Sequence, residues 1–195
     1  MIYNVCRGLL RVIYKFLFRL EASGLEHIPQ EGGVLLASNH ISLFDPPTIG
    51  ILLDRKVHFM AKKELFDVFG LGWLITQLGA FPVKRGGVSK ESIKNSLNIL
   101  RSGKVMGIFP EGSRNDEGAG KKGAASFALR TNAVVIPVAI IGNYKLFRKV
   151  RVIYGAPVDL SKVKDIPDSD PVELATQEIM SRIAELKALG LSYVK

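Results

Sequence analysis

Val34-Leu35-Leu36-Ala37-Ser38-Asn39-His40-Ile41-Ser42-Leu43-Phe44-Asp45, closed by Pro46-Pro47, is the stretch whose reading decides the fold. The apolar run 34–37 is too short for a core helix, and its flanks favour a buried strand. His40 therefore stands where a strand gives way to a loop. Asp45-Pro46 reads as a helix start, with an aspartate at the cap and a proline at the first helical position. An imidazole on a strand end and a carboxylate one loop later suit a carboxylate that holds one ring nitrogen while the other takes a proton. The plainer alternative is a capping aspartate and an ordinary buried histidine.

Working outward, strands and helices alternate. Apolar runs at 57–61, 79–83, 105–109, 134–141 and 150–154 read as strands, with a further short one at 25–28. Helices are expected at 46–53, at 64–78 with an interruption at Gly70-Leu71-Gly72, from a Ser89 cap to about 102, at 124–130 and at 171–189. The alternation predicts an α/β fold, a mostly parallel mixed sheet flanked by helices. The segment 64–78 carries more apolar residues than one core-facing stripe needs. Burial is the simpler explanation, and a membrane or acyl-chain contact the other.

The N-terminus adds a different signal. Residues 2–20 are apolar but for Asn4, Gly8 and the cations Arg7, Arg11, Lys15 and Arg19, which recur at every fourth position and form one stripe on a helix. Such a helix suits the plane of a membrane interface, apolar face among acyl chains and cations toward lipid phosphates. Evenly spread charges argue against a span, and no cleavage-site pattern of a signal peptide occurs. A core helix with a snorkelling basic edge is the alternative. The division expected is residues 1–22 as a membrane-associating amphipathic helix and 23–195 as one α/β domain.

Composition agrees. The chain of 195 residues is 47% hydrophobic and carries a net charge of +9, which points to an anionic partner, membrane surface or nucleic acid. Aromatics are not interleaved with basic residues in an RNA-binding pattern, and no zinc-ligand spacing occurs. The lone cysteine, Cys6, excludes an internal disulfide and fits a reducing compartment.

Function in such a sheet gathers at strand ends. These carry His40, Lys62, Arg85 and the loop Glu111-Gly112-Ser113-Arg114. Two arginines with nearby lysines make a ready phosphate site, since guanidinium binds phosphate bidentately. Glu111 fits there only if it pairs with an arginine or accepts backbone N–H groups.

Four blocks then match a family in order. Asn39-His40-x-x-x-x-Asp45 comes first, Gly79-Ala80-Phe81-Pro82-Val83-Lys84-Arg85 second, Phe109-Pro110-Glu111-Gly112-Ser113-Arg114 third and Val135-Ile136-Pro137-Val138-Ala139 fourth. Over residues 24–157 the chain resembles the glycerolipid acyltransferases of the 1-acylglycerol-3-phosphate (lysophosphatidate) type. Ser113 stands where threonine is commoner, and the 115–120 loop lacks an aromatic often found there.

The resemblance implies an enzyme of phospholipid biosynthesis that moves a fatty acyl group from acyl-CoA or acyl carrier protein to the free hydroxyl of lysophosphatidic acid, giving phosphatidic acid. It implies His40 as base, Asp45 as its orienter, and Arg85 and Arg114 with Gly112 and Ser113 as the phosphate clamp. Lys62 would help, and residues 135–140 would shape the site from below. Neither metal nor cofactor is implied, nor any nucleic acid. The expected location is the cytoplasmic face of a membrane, as a monotopic or peripheral protein. No Gly-x-Ser-x-Gly elbow supports an acyl-enzyme. A glycerol-3-phosphate or other lysophospholipid acceptor, a non-catalytic binder of anionic membranes and a soluble thioester hydrolase are the alternatives. The last two leave, respectively, His40 with Asp45 and the arginines without a use.

Overall fold

All five residues of β2 (Val34–Ser38) are buried, which only a central strand with both faces covered allows. The computed structural model, which describes residues 2–83, 89–110 and 119–192, pairs β2 in parallel with β5 (Val105–Ile108) on one side and β6 (Val134–Gly142) on the other. Beyond β5 lie β3 (Val57–Lys62) and β4 (Ala80–Val83), again parallel. Beyond β6 lies β7 (Val150–Tyr154), antiparallel to it, and then β1 (Glu21–Ser23), parallel to β7. The order is β1-β7-β6-β2-β5-β3-β4, the expected mostly parallel mixed sheet. Strands β2 to β6 all point one way, so they all end on one edge of the sheet, which is where His40 stands.

Side chains alternate across β2 and build two cores. Val34 and Leu36 join one with Tyr14, Phe18 and Ile49, covered by α1 (Ile2–Leu17) and α2 (Asp45–Gly50). Leu35 and Ala37 join the other with Leu97, Leu100, Ala124, Ala128, Ile179 and Ile183, covered by α4 (Lys90–Arg101), α5 (Ala119–Thr131) and α6 (Pro171–Ser192). Ser89 caps α4 as expected, its Oγ accepting from the N–H of Ser92 at 3.1 Å. A short α3 (Leu71–Gln77) precedes β4.

Several expectations need correction. Residues 25–27 form a single 3₁₀ turn rather than a strand, and the strand lies earlier, at Glu21–Ser23. Gly24, at a φ of 79°, turns the chain out of the extended conformation there. The N-terminal helix ends at Leu17 instead of continuing to residue 20, because Arg19 takes a φ of 43° and swings the chain into β1. The division at 22/23 thus falls within a strand of the sheet.

The four cations do not make one outward stripe. Arg19 has left the helix, and Arg7 is turned onto the domain, its Nη1 donating to Leu53 O at 2.6 Å and facing Asp54 at 3.4 Å. Helix α1 instead has three faces. Tyr3, Cys6, Leu10, Tyr14 and Leu17 face the domain, Val5, Leu9, Val12 and Phe16 form an exposed apolar stripe, and Arg11 and Lys15 an exposed basic one. Burial of 64–78 is also overturned: Leu65, Val68, Phe69, Leu71 and Trp73 are exposed. Among the described residues no helix is long and apolar enough to cross a membrane.

Candidate active site

The end of β2 and the residue that follows it bring His40 to the sheet edge. Asn39, just past β2, is buried, and its side chain completes the pairing with β6 that the backbone has stopped making. Its Nδ2 donates to Ile140 O at 3.0 Å, and its Oδ1 accepts from the N–H of Ile140 at 2.7 Å. The next residue, His40, is thereby held at the mouth of the β2–α2 connection. Helix α2 then carries Asp45 back toward it. Asp45 occupies the first turn of α2 and not the cap: no side chain caps this helix. Its carboxylate points upstream because donors wait there.

Asp45 is fully buried and its two oxygens are used differently. Oδ2 accepts from His40 Nδ1 at 2.6 Å, from the N–H of Ile41 at 2.6 Å and from the N–H of Ser42 at 2.7 Å. Oδ1 accepts from Tyr144 Oη at 2.7 Å. Four groups able to donate converge on this carboxylate, which acts as the acceptor toward each. An ionised carboxylate only accepts, so the proton between it and His40 sits on Nδ1 and the imidazole lone pair is on Nε2. The His40 side chain is 32% exposed.

Phe109, the residue after β5, stacks on the His40 ring, with centroids 4.3 Å apart and planes 24° apart. Phe59 stacks behind Phe109 at 6.0 Å. Gly107 allows this: a Cβ there would stand 2.0 Å from the Phe59 ring. The other side is an aromatic cluster, in which Tyr144 meets Phe18 edge-on at 5.3 Å and Phe44 at 5.5 Å. Tyr14 lies beside Thr48, and its phenol is pushed up to about 12, first by burial and then by the charge of Asp45, with a hydrogen bond to Thr48 pulling the other way. Tyr144 is pushed well above the ordinary phenol range, chiefly by burial.

Of the expected site residues, His40 and Asp45 come together. Lys62 closes β3 and is exposed, two strands from β2 in the sheet and so roughly 10 Å away across it. Arg85, Glu111, Gly112, Ser113 and Arg114 lie outside the described residues. Sequence reasoning assigned no role to Asn39, Phe109, Thr48 or Tyr144. Asn39 and Phe109 were in view as motif members. Nothing local marks Tyr144, which sits 99 residues from its partner.

A histidine held by a buried carboxylate, on an α/β sheet edge, fits the class that the sequence specifies: residues 19–141 match the family described as Acyltransferase. The chain belongs to the acyltransferase family. It is 31% identical over 192 residues to the 1-acyl-sn-glycerol-3-phosphate acyltransferase of Bacillus subtilis, covering 95% of this chain and 96% of that one. It is also 31% identical to the protein of that name from Streptococcus pneumoniae, covering 95% and 73%. Among solved structures it resembles the 1-acyl-sn-glycerophosphate (LPA) acyltransferase PlsC from Thermotoga maritima, with a TM-score of 0.67 and 25% identity over 94% of this chain and 78% of that one.

Proposed function

We propose that this protein transfers a fatty acyl group from a thioester donor, acyl-CoA or acyl carrier protein, to the free hydroxyl of 1-acylglycerol-3-phosphate, forming phosphatidic acid. The observation that carries the reading is the 2.6 Å contact of His40 Nδ1 with a buried carboxylate whose other donors are all in place. Nε2 takes the proton of the acceptor hydroxyl as its oxygen attacks the thioester carbonyl. The tetrahedral intermediate expels the thiolate, the C–S bond breaks, and the imidazolium returns the proton to sulfur. Asp45 steadies the imidazolium and fixes its tautomer. The family resemblance supports Arg85 and Arg114, with the Gly112 and Ser113 backbone, as ligands of the acceptor phosphate, Glu111 as a substrate-binding member of the same loop, and Lys62 as a further cation at the same edge.

A lipid acceptor requires the site to meet a membrane surface, on our reading its cytoplasmic side. Apolar residues exposed around the His40 edge support this. Leu43 and Phe44 follow β2, Phe69 follows β3, and Leu146 and Phe147 follow β6. The apolar stripe of α1 adds to them.

The test crosses purified protein with each donor and with lysophosphatidic acid, glycerol-3-phosphate and lysophosphatidylcholine, products read by mass. Phosphatidic acid from lysophosphatidic acid is expected. As phosphate ligands, Arg85→Ala and Arg114→Ala should each raise the acceptor's KM at least tenfold, on the order of the 1.5–3 kcal/mol of a charged hydrogen bond, while the donor's KM stays put. Acylation of lysophosphatidylcholine alone would sink the assignment.

A further inference from the structure

We infer that Tyr144 is a positioning residue for acyl transfer, acting on the imidazole of His40 through the Oδ1 oxygen of Asp45. The inference rests on the reading of His40 as the base and adds a residue to it. Asp45 Oδ2 is fixed by three donors from one short loop, His40, Ile41 and Ser42. None of these three bonds reaches the second oxygen. Tyr144 supplies a bond to Oδ1 from beyond β6 at 2.7 Å, so the carboxylate is held at both oxygens and from two distant parts of the chain.

The phenol proton has two acceptors within reach, Asp45 Oδ1 at 2.7 Å and Thr48 Oγ1 at 2.9 Å. Thr48 spends its own proton on Phe44 O at 2.7 Å, so its oxygen faces Tyr144 as a neutral acceptor. The carboxylate is nearer and charged, and charge-assisted bonds are about twice as strong, so the proton goes to Asp45. The ring is held as firmly as the hydroxyl. Phe18 packs against it edge-on and Phe44 at a tilt. Leu17 O and Phe18 O accept from the N–H groups of Phe147 and Val150, which pins the segment after Tyr144 to the end of α1. The phenol thus carries the position of α1 to the carboxylate that orients the base.

The test is Tyr144→Phe, which keeps the ring and its packing and removes only the hydroxyl. Loss of one charge-assisted bond to the orienting carboxylate should lower kcat about tenfold. Both Michaelis constants and the melting temperature should stay near the parent's, since the ring still fills its place. In an Asp45→Asn background the same change should lower kcat less than about twofold, because the charge that Tyr144 steadies is gone. An undiminished kcat in Tyr144→Phe overturns the inference, as does a full tenfold loss on top of Asp45→Asn or a loss confined to KM or thermal stability. His40→Ala in the same assay separates this inference from its foundation. If His40→Ala remains active, the base assignment fails. If His40→Ala is inactive while Tyr144→Phe is unimpaired, only the role of Tyr144 fails.

Discussion

Phe109 lies against the face of the His40 imidazole at 4.3 Å between centroids, so the ring is held by an aromatic wall on its face and a carboxylate at its Nδ1. Aromatic pairs of this geometry contribute about 0.5–1.5 kcal/mol beyond their area. Phe109→Leu keeps most of the apolar bulk and removes the flat face. It should lower kcat by about two- to tenfold if that contribution serves the transition state, with little change in melting temperature. A Phe109→Leu enzyme with unchanged kcat would make the stack a packing contact only.

The pair His40 and Asp45 should rank differently on substitution. His40→Ala removes the proposed base and should cost about 10²–10⁴-fold in kcat. Asp45→Asn should cost less. The asparagine oxygen can replace Oδ2 before the three donors at 40–42, and its amide can donate to Tyr144 Oη, so the site stays satisfied while the charge is lost. Both variants should melt within a few degrees of the parent in a thermal scan. Acyl transfer by His40→Ala at the parent rate would remove the mechanism.

How far the sequence speaks depends on whether a feature is local. The strands of the central sheet are buried on both faces and so appear as unbroken apolar runs, which is why β2, β5 and β6 can be read directly. β1 cannot, because Glu21, Ala22 and Ser23 carry no apolar signal and owe their strand to pairing with β7, where Glu21 meets Lys149 and Arg151. The pair His40 and Asp45 is legible because five residues of spacing on a strand–loop–helix fix its geometry. Tyr144 reaches the same carboxylate only through the fold. Arg7 misleads for the same reason: its periodic place among the cations is local, whereas its partners Leu53 and Asp54 are not.

Alkaline pH should weaken the fold through the tyrosines around this site. Tyr14 ionises near 10 when unfolded and at about 12 when folded, so the folded state favours the neutral phenol. Its contribution is complete below about pH 10 and is lost as pH rises from there toward 12. Tyr144 is shifted in the same direction. Urea midpoints at pH 8, 10 and 11 should fall in that order, and Tyr14→Phe should flatten the decline. A midpoint independent of pH over this range would contradict the burial of these phenols.

Helix α1 should prove to have two separable jobs. Its inner face is structural: Tyr14 is buried in the core, as is Phe18 just past the helix end, and Phe18 walls the ring of Tyr144. Its outer face exposes Val5, Leu9, Val12 and Phe16, each at least 53% exposed. Burying such side chains in acyl chains is worth about 1–2 kcal/mol apiece. Arg11 and Lys15, the cations of α1 still facing outward, add on the order of 1 kcal/mol each at an anionic surface. The apolar stripe should therefore dominate membrane binding. Replacing its four residues by serine should sharply reduce co-sedimentation with vesicles, leaving the apolar residues at the His40 edge as the remaining contact, and should leave acylation of a water-soluble short-chain acceptor intact. Replacing Arg11 and Lys15 by glutamine should weaken sedimentation only in part, and mainly at low salt. Arg7→Gln should instead lower stability, since its guanidinium holds the turn at Leu53. Deleting residues 1–20 should cost activity on both acceptors, because removing two buried aromatics opens the core by about 3–5 kcal/mol each. A deletion variant that stays folded and acylates the soluble acceptor at the parent rate would show that α1 is an anchor alone.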